Sequence, residues 1–93
     1  MIVILQSPSP DHFVYILECV DKTLYVGCTN DLQKRVHQHN NAKSGAHYTK
    51  IRRPVVLVYS ESYKSLAEAR AREAGLKRLK REEKKTLIEN ARL

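Results

Sequence analysis

Between Phe13 and Val20 the chain reads FVYILECV, a nearly continuous apolar run with one charge. Such a run, short and β-prone, predicts a strand covered on both faces. Asp21 and Lys22 interrupt it, and TLYVGCT resumes the pattern, so the two segments predict an antiparallel hairpin. Thr29, Asn30 and Asp31 offer capping side chains, and LQKRVHQH carries a helix to about residue 40. The stretch NNAKSGAHYTKIRR is polar and basic and reads as a long connection. Connections of that length are uncommon in compact domains unless they bind something. PVVLVYSESY predicts a third strand with Pro54 at its entry. Ser65 and Glu68 form a capping box for a helix through LAEARAREAGLKRL, and a boundary near Leu79 opens a last helix. The expected fold is α/β in the α+β sense. A small three-stranded sheet contains the hairpin, helices pack around it, and the order is β-β-α-β-α-α. Residues 1–11, ending in SPSPD, are expected to form a loose arm or a short added strand, and residues 12–93 one domain.

The helical periods then expose an anomaly. At about 100° per residue, with Leu32 at the origin, Val36 lies near about 40°, His39 near about 340° and Arg35 near about 300°. Arg35 and His39 therefore flank the apolar stripe of their own helix, where a half-buried position is expected. In the later helix, with Leu66 as origin, Glu73 falls near about 340°, between Leu66 and the pair Ala69 and Leu76. A carboxylate in a buried stripe is costly unless it is paired, with Arg35 or Arg70 for example, or holds a metal ion. Departures from local rules of this kind collect at functional sites.

The hairpin contributes Tyr15 and Tyr25. They share a sheet face only if the connecting loop has an odd number of residues or a bulge shifts the register; a plain two-residue turn would separate them. Gly27 leaves an open spot just before a helix N-terminus, where a backbone or a phosphate can come close.

Charge sharpens the picture. The 93 residues carry a net charge of +7, which favours anionic partners, nucleic acid foremost. Two cysteines, Cys19 and Cys28, show no zinc spacing and read as reduced thiols. The opening run is too short for a signal segment, no stretch approaches membrane-spanning length, and a cytoplasmic location is expected. Lys43, Lys50, Arg52 and Arg53, interleaved with His47 and Tyr48, line the central connection with few acidic residues to offset them. With Lys77 they are the candidate nucleic-acid contacts. Such contacts position a phosphate backbone without reading bases, so binding should be weakly sequence-dependent and salt-sensitive.

Taken in order, VYI around Tyr15, Tyr25-Val26-Gly27, Arg35, His39 and Glu73 resemble the GIY-YIG nuclease superfamily. YVGCTNDLQKRVHQHN, HYTKIRRPVVLVYSE and EARAREAGLKRLKREEK look like its small stand-alone bacterial branch. The resemblance implies a divalent-metal-dependent endonuclease that hydrolyses phosphodiester bonds in DNA, directed by structure or damage as in repair or recombination. Tyr25 or Tyr15 would activate the attacking water, and Arg35 would stabilise charge on the phosphoryl oxygens. Glu73 would hold one ion, Mg²⁺ or Mn²⁺, and His39 would bind phosphate or assist proton transfer. The catalytic set is thus Tyr15, Tyr25, Arg35, His39 and Glu73, with Glu73 as metal ligand.

Phe13 and Val14 stand where the family name has glycine and isoleucine. Cys28 follows Gly27 where some relatives have serine, and no late asparagine is evident. No attached DNA-binding domain is evident, so a protein partner could supply specificity. The alternative expectation is a non-catalytic nucleic-acid-binding or ribosome-associated module that keeps the fold, and a weaker one is a protein-interaction adaptor.

Overall fold

The structure is a computed structural model and describes residues 11–41 and 47–92. Its first strand, β1 (His12–Glu18), pairs antiparallel with β2 (Leu24–Thr29) on one side and with β3 (Val56–Tyr63) on the other. The sheet order is β2-β1-β3. A central position explains the apolar run: Val14, Ile16 and Leu17 are fully buried, and they divide between the cores on the two sides of the sheet. The expected three-stranded α+β architecture is present.

Helix α1 (Leu32–Asn41) covers one face, where Leu32 and Val36 pack against Tyr15, Leu17, Cys19 and Val55. The other face carries α3 (Leu66–Arg78) and α4 (Arg81–Ala91), whose Ala69, Leu76 and Ile88 join Val14, Ile16 and Val26. Local chemistry sets the helix starts as the sequence suggests. The Asp31 carboxylate accepts from the Lys34 amide, and the Ser65 hydroxyl accepts from the Glu68 amide. No helix among the described residues is long and apolar enough to cross a membrane.

Two features depart from expectation. The central connection contains a one-turn helix, α2 (His47–Lys50), so the order is β-β-α-α-β-α-α. Periodicity cannot signal four residues. The hairpin turn is also not a plain two-residue one: the Lys22 amide donates to the Cys19 carbonyl, and Lys22 takes a positive φ of 71°. The Thr23 carbonyl then accepts from the Cys19 amide, which closes a three-residue loop with a left-handed third residue. The odd loop sets the register, with Tyr15 opposite Gly27 and Leu17 opposite Tyr25. Tyr15 and Tyr25 therefore share a face. The expected arm falls almost entirely outside the described residues.

Candidate active site

Where β2 runs into α1, a cleft of about 420 Å³ opens at the edge of the sheet. Tyr15, Tyr25, Gly27, Arg35 and Glu73 all line it, together with His12, Cys28, Asn30 and Arg70. Four of the five expected catalytic residues thus meet in one place.

Tyr15 owes its position to Gly27. The two are cross-strand partners, and a methyl group at position 27 would collide with the Tyr15 ring and hydroxyl. The space expected to admit a phosphate above Gly27 is filled by the tyrosine itself. The phenol is buried and pushed up to about 12 by desolvation, against which a hydrogen bond and the positive charge of Arg35 pull it down. It stays protonated at neutral pH.

His39 is the fifth residue, and it does not line the cleft. It is fully buried behind Tyr15, its Nε2 2.9 Å from Tyr15 Oη and its Nδ1 2.7 Å from Thr49 Oγ1. Direct phosphate contact is closed to it in this arrangement, and the expected half-burial is complete burial. Desolvation, with the neighbouring charges of Arg35 and Arg53, pushes its imidazole down to about 4. The ring is neutral. Tyr25 meets it edge-on at 5.2 Å between ring centres.

Glu73 needs a correction of geometry. Leu66 is 44% exposed, so it does not belong to the buried stripe of α3. The stripe centres on Ala69 and Leu76, which puts Glu73 and Arg72 at its two margins, each about 50° from the centre. Arg72 turns to β3, where it grips the Glu61 carboxylate through Nε at 2.9 Å and Nη2 at 3.1 Å. Glu73 turns the other way, into the cleft. Its ion pair is with Lys77, one turn on, at 2.9 Å, rather than with Arg35 or Arg70. Arg35 itself is partly buried and donates to the Gln38 side chain at 3.1 Å.

The expected nucleic-acid contacts divide. Tyr48 stacks on Tyr25 at 5.9 Å, and the Arg52 guanidinium lies 3.9 Å from the centre of the Tyr48 ring. Arg52 also pairs with Asp21 at 3.0 Å, tying the end of α2 to the hairpin turn. Arg53 donates to the carbonyls of Gln38 and His39 near the end of α1. Both arginines thus have structural duties that the scarcity of nearby acids in sequence does not suggest. Lys50 is exposed, Lys43 lies outside the described residues, and of His47 only its place in α2 is described.

Sequence reasoning misses His12, Asn30, Arg70 and Thr49. Arg70 carries a signal, since it precedes Glu73 by three positions and so shares its helix face. His12 and Asn30 reach the cleft from element ends, and Thr49 meets His39 only through the fold.

A divalent ion can be tested against this donor set. Among the described residues no three His, Cys, Asp or Glu side chains form a metal cluster, and Glu73 is the one carboxylate that lines the cleft. Mg²⁺ is commonly held by one or two carboxylates, waters and substrate phosphates. The donors therefore fit a cation shared between Glu73 and a substrate, not a closed protein site.

Residues 11–86 match the GIY-YIG family, described as the GIY-YIG catalytic domain. The chain is 53% identical over 77 residues to the UPF0213 protein of Syntrophus aciditrophicus, covering 83% of this chain and 88% of that protein. It is 48% identical over 82 residues to the UPF0213 protein YazA of Bacillus subtilis, covering 88% and 82%. Among solved structures it is similar to the UPF0213 protein BH0048 from Bacillus halodurans, with 39% identity, TM-score 0.55 and coverage of 85% and 83%. It also resembles EF2693 from E. faecalis, with 31% identity, TM-score 0.60 and coverage of 88% and 86%. The chain belongs to the GIY-YIG family, among the small UPF0213 proteins.

Proposed function

We propose that this protein is a divalent-metal-dependent endonuclease that hydrolyses phosphodiester bonds in DNA with little sequence preference. The observation that carries this is the shared cleft: two tyrosines, an arginine and a carboxylate from four separate elements line one space. A site needs a group to accept a proton from water, a charge on the phosphoryl oxygens and a means of easing the leaving oxygen. The lining supplies each.

Tyr15 is the proton acceptor in this reading: its hydroxyl, held between His39 and Arg35 at the cleft wall, takes a proton from the attacking water as it hands its own to His39 Nε2, 2.9 Å away. Arg35 faces the non-bridging oxygens, and Arg70 adds a second positive charge on the helix that carries Glu73. Tyr25, packed between His39 and Tyr48, orients the attacking water. Bound at Glu73, Mg²⁺ or Mn²⁺ would supply Lewis-acid polarisation of the phosphate and stabilise the departing oxygen. His39 acts through Tyr15 rather than on phosphate. Tyr48, beside Tyr25, and Lys50 on the same short helix are candidate backbone contacts, with Lys43 and His47 close to them in sequence.

The competing reading, binding without hydrolysis, is favoured by the Glu73–Lys77 pair, which leaves the cleft carboxylate already neutralised. The two separate in one experiment. Purified protein is incubated with end-labelled single-stranded, duplex and branched DNA in Mg²⁺, Mn²⁺ or EDTA. Metal-dependent scission supports the nuclease; salt-sensitive retention of intact DNA in every buffer supports the binding module.

A further inference from the structure

The buried chain Thr49–His39–Tyr15 is more specific than either bond alone. His39 is wholly enclosed, so its ring carries a single proton, and each nitrogen has one close partner. The Tyr15 hydroxyl must place its own proton somewhere. Arg35, the neighbouring cation, is a donor with no acceptor to offer, and a hydroxyl that takes a proton from water on the cleft side has to give its own on the inner side. His39 Nε2, at 2.9 Å, can accept. If Nε2 accepts, the ring proton is on Nδ1, and the partner of that N–H is Thr49 Oγ1 at 2.7 Å.

We propose that Thr49 is a positioning residue that fixes His39 as the Nδ1–H tautomer, leaving Nε2 as the acceptor for Tyr15. The fold is built to keep Thr49 in place without help from His39. Tyr48, next to it in α2, stacks on Tyr25, and Arg52 binds both the Tyr48 carbonyl and Asp21. The Arg52 amide further donates to the Thr49 carbonyl at 3.0 Å. The segment that carries the candidate DNA contacts is thereby linked, through one hydroxyl, to the group that activates water. This rests on the assignment of Tyr15 as proton acceptor.

The test has two readouts on the full chain. In ¹⁵N-imidazole spectra at neutral pH, wild-type His39 should show a protonated Nδ1 and a bare Nε2. Thr49→Ser should preserve that pattern, whereas Thr49→Val, which offers no acceptor, should move the proton to Nε2 or mix the two forms. In cleavage assays Thr49→Val should lower kcat by about 10- to 100-fold, the scale on which losing the partner that orients a metal-bound histidine lowers activity, with KM for DNA little changed. Thr49→Ser should recover most of the rate. A wild-type ring protonated on Nε2 would overturn the proposal, as would a Thr49→Val protein with an unchanged ring and rate. Should Thr49→Val not fold, the wild-type and serine spectra still decide. Absence of any cleavage by wild type would instead refute the nuclease assignment, while the ring spectra decide the role of Thr49 independently.

Discussion

Tyr15 stands directly opposite Gly27 in the hairpin, and its ring occupies the space that any side chain at position 27 would need. The glycine is thus required by packing, not by backbone freedom, and it holds the tyrosine hydroxyl between His39 and the cleft.

Gly27→Ala should therefore displace Tyr15. The expected cost is about 1–3 kcal/mol of stability, the range for overpacking a filled interior. DNA cleavage should fall more steeply than stability does, because the displaced hydroxyl leaves His39. Urea midpoints and single-turnover rates on the same preparation measure both.

Acid should destabilise the fold through His39. Its folded imidazole is pushed down to about 4, mainly by burial, whereas an unfolded histidine titrates near about 6.5. Between those values the unfolded chain binds more protons, so stability rises with pH across the window and is lost as pH falls. Lowering the pH from about 7 to about 5 should cost about 2 kcal/mol from this residue. The Glu61 carboxyl contributes in the same direction but at lower pH. Burial alone would raise it, yet Arg72, Tyr59 and Tyr63 together hold it below the usual range. Urea denaturation at the two pH values, with His39→Gln as comparison, reads the histidine part alone.

Lys77 should compete with the cation. It occupies Glu73 in the structure at 2.9 Å, and an exposed pair of this i,i+4 kind is worth about 0.3–0.5 kcal/mol. Lys77→Met removes both the competitor and a nearby positive charge, so Mn²⁺ should bind about two- to tenfold more tightly. Paramagnetic broadening of amide signals near Glu73 follows the titration, and Lys85→Met on α4 controls for net charge. Unchanged Mn²⁺ affinity with weakened DNA binding would make Lys77 a phosphate contact instead.

The Glu61 network should be structural. Glu61 accepts from Tyr59, Tyr63 and both arms of Arg72, and it joins β3 to α3 on the face away from α1. Glu61→Ala leaves the guanidinium, 40% exposed, without its partner and two tyrosine hydroxyls without their acceptor, and should cost about 1–3 kcal/mol. Cleavage per folded molecule should hardly change, which thermal melts combined with rate measurements can verify.

Much of the fold is legible along the chain because it is local or periodic. The apolar run through Ile16 marks a central strand, Ser65 and Asp31 mark helix starts, and the order and spacing of Tyr15, Tyr25, Arg35, His39 and Glu73 carry the family resemblance. The remainder depends on relations between elements. Whether Tyr15 and Tyr25 share a face turns on the left-handed Lys22, and lysine is not a residue that announces that conformation. Periodicity sets Glu73 too deep because Leu66, the obvious apolar anchor, is largely exposed and the stripe turns about the smaller Ala69 instead. The helix angle of His39 gives its inward turn but neither its complete burial nor its partner, so a phosphate ligand and a tyrosine-bound ring look alike in sequence. Thr49 and the structural duties of Arg52 and Arg53 arise from contacts ten or more residues apart, which no local pattern encodes.

The most direct measurement is a side-by-side rate of Mn²⁺-supported DNA scission by wild type, Arg35→Ala and Glu73→Gln. Wild type should cut, and each variant should fold normally yet lose at least about a hundredfold in rate, the scale of removing one preorganised electrostatic group. Scission that persists undiminished in either variant would mean that the cleft shared by Tyr15, Tyr25, Arg35 and Glu73 is not where the phosphodiester is broken.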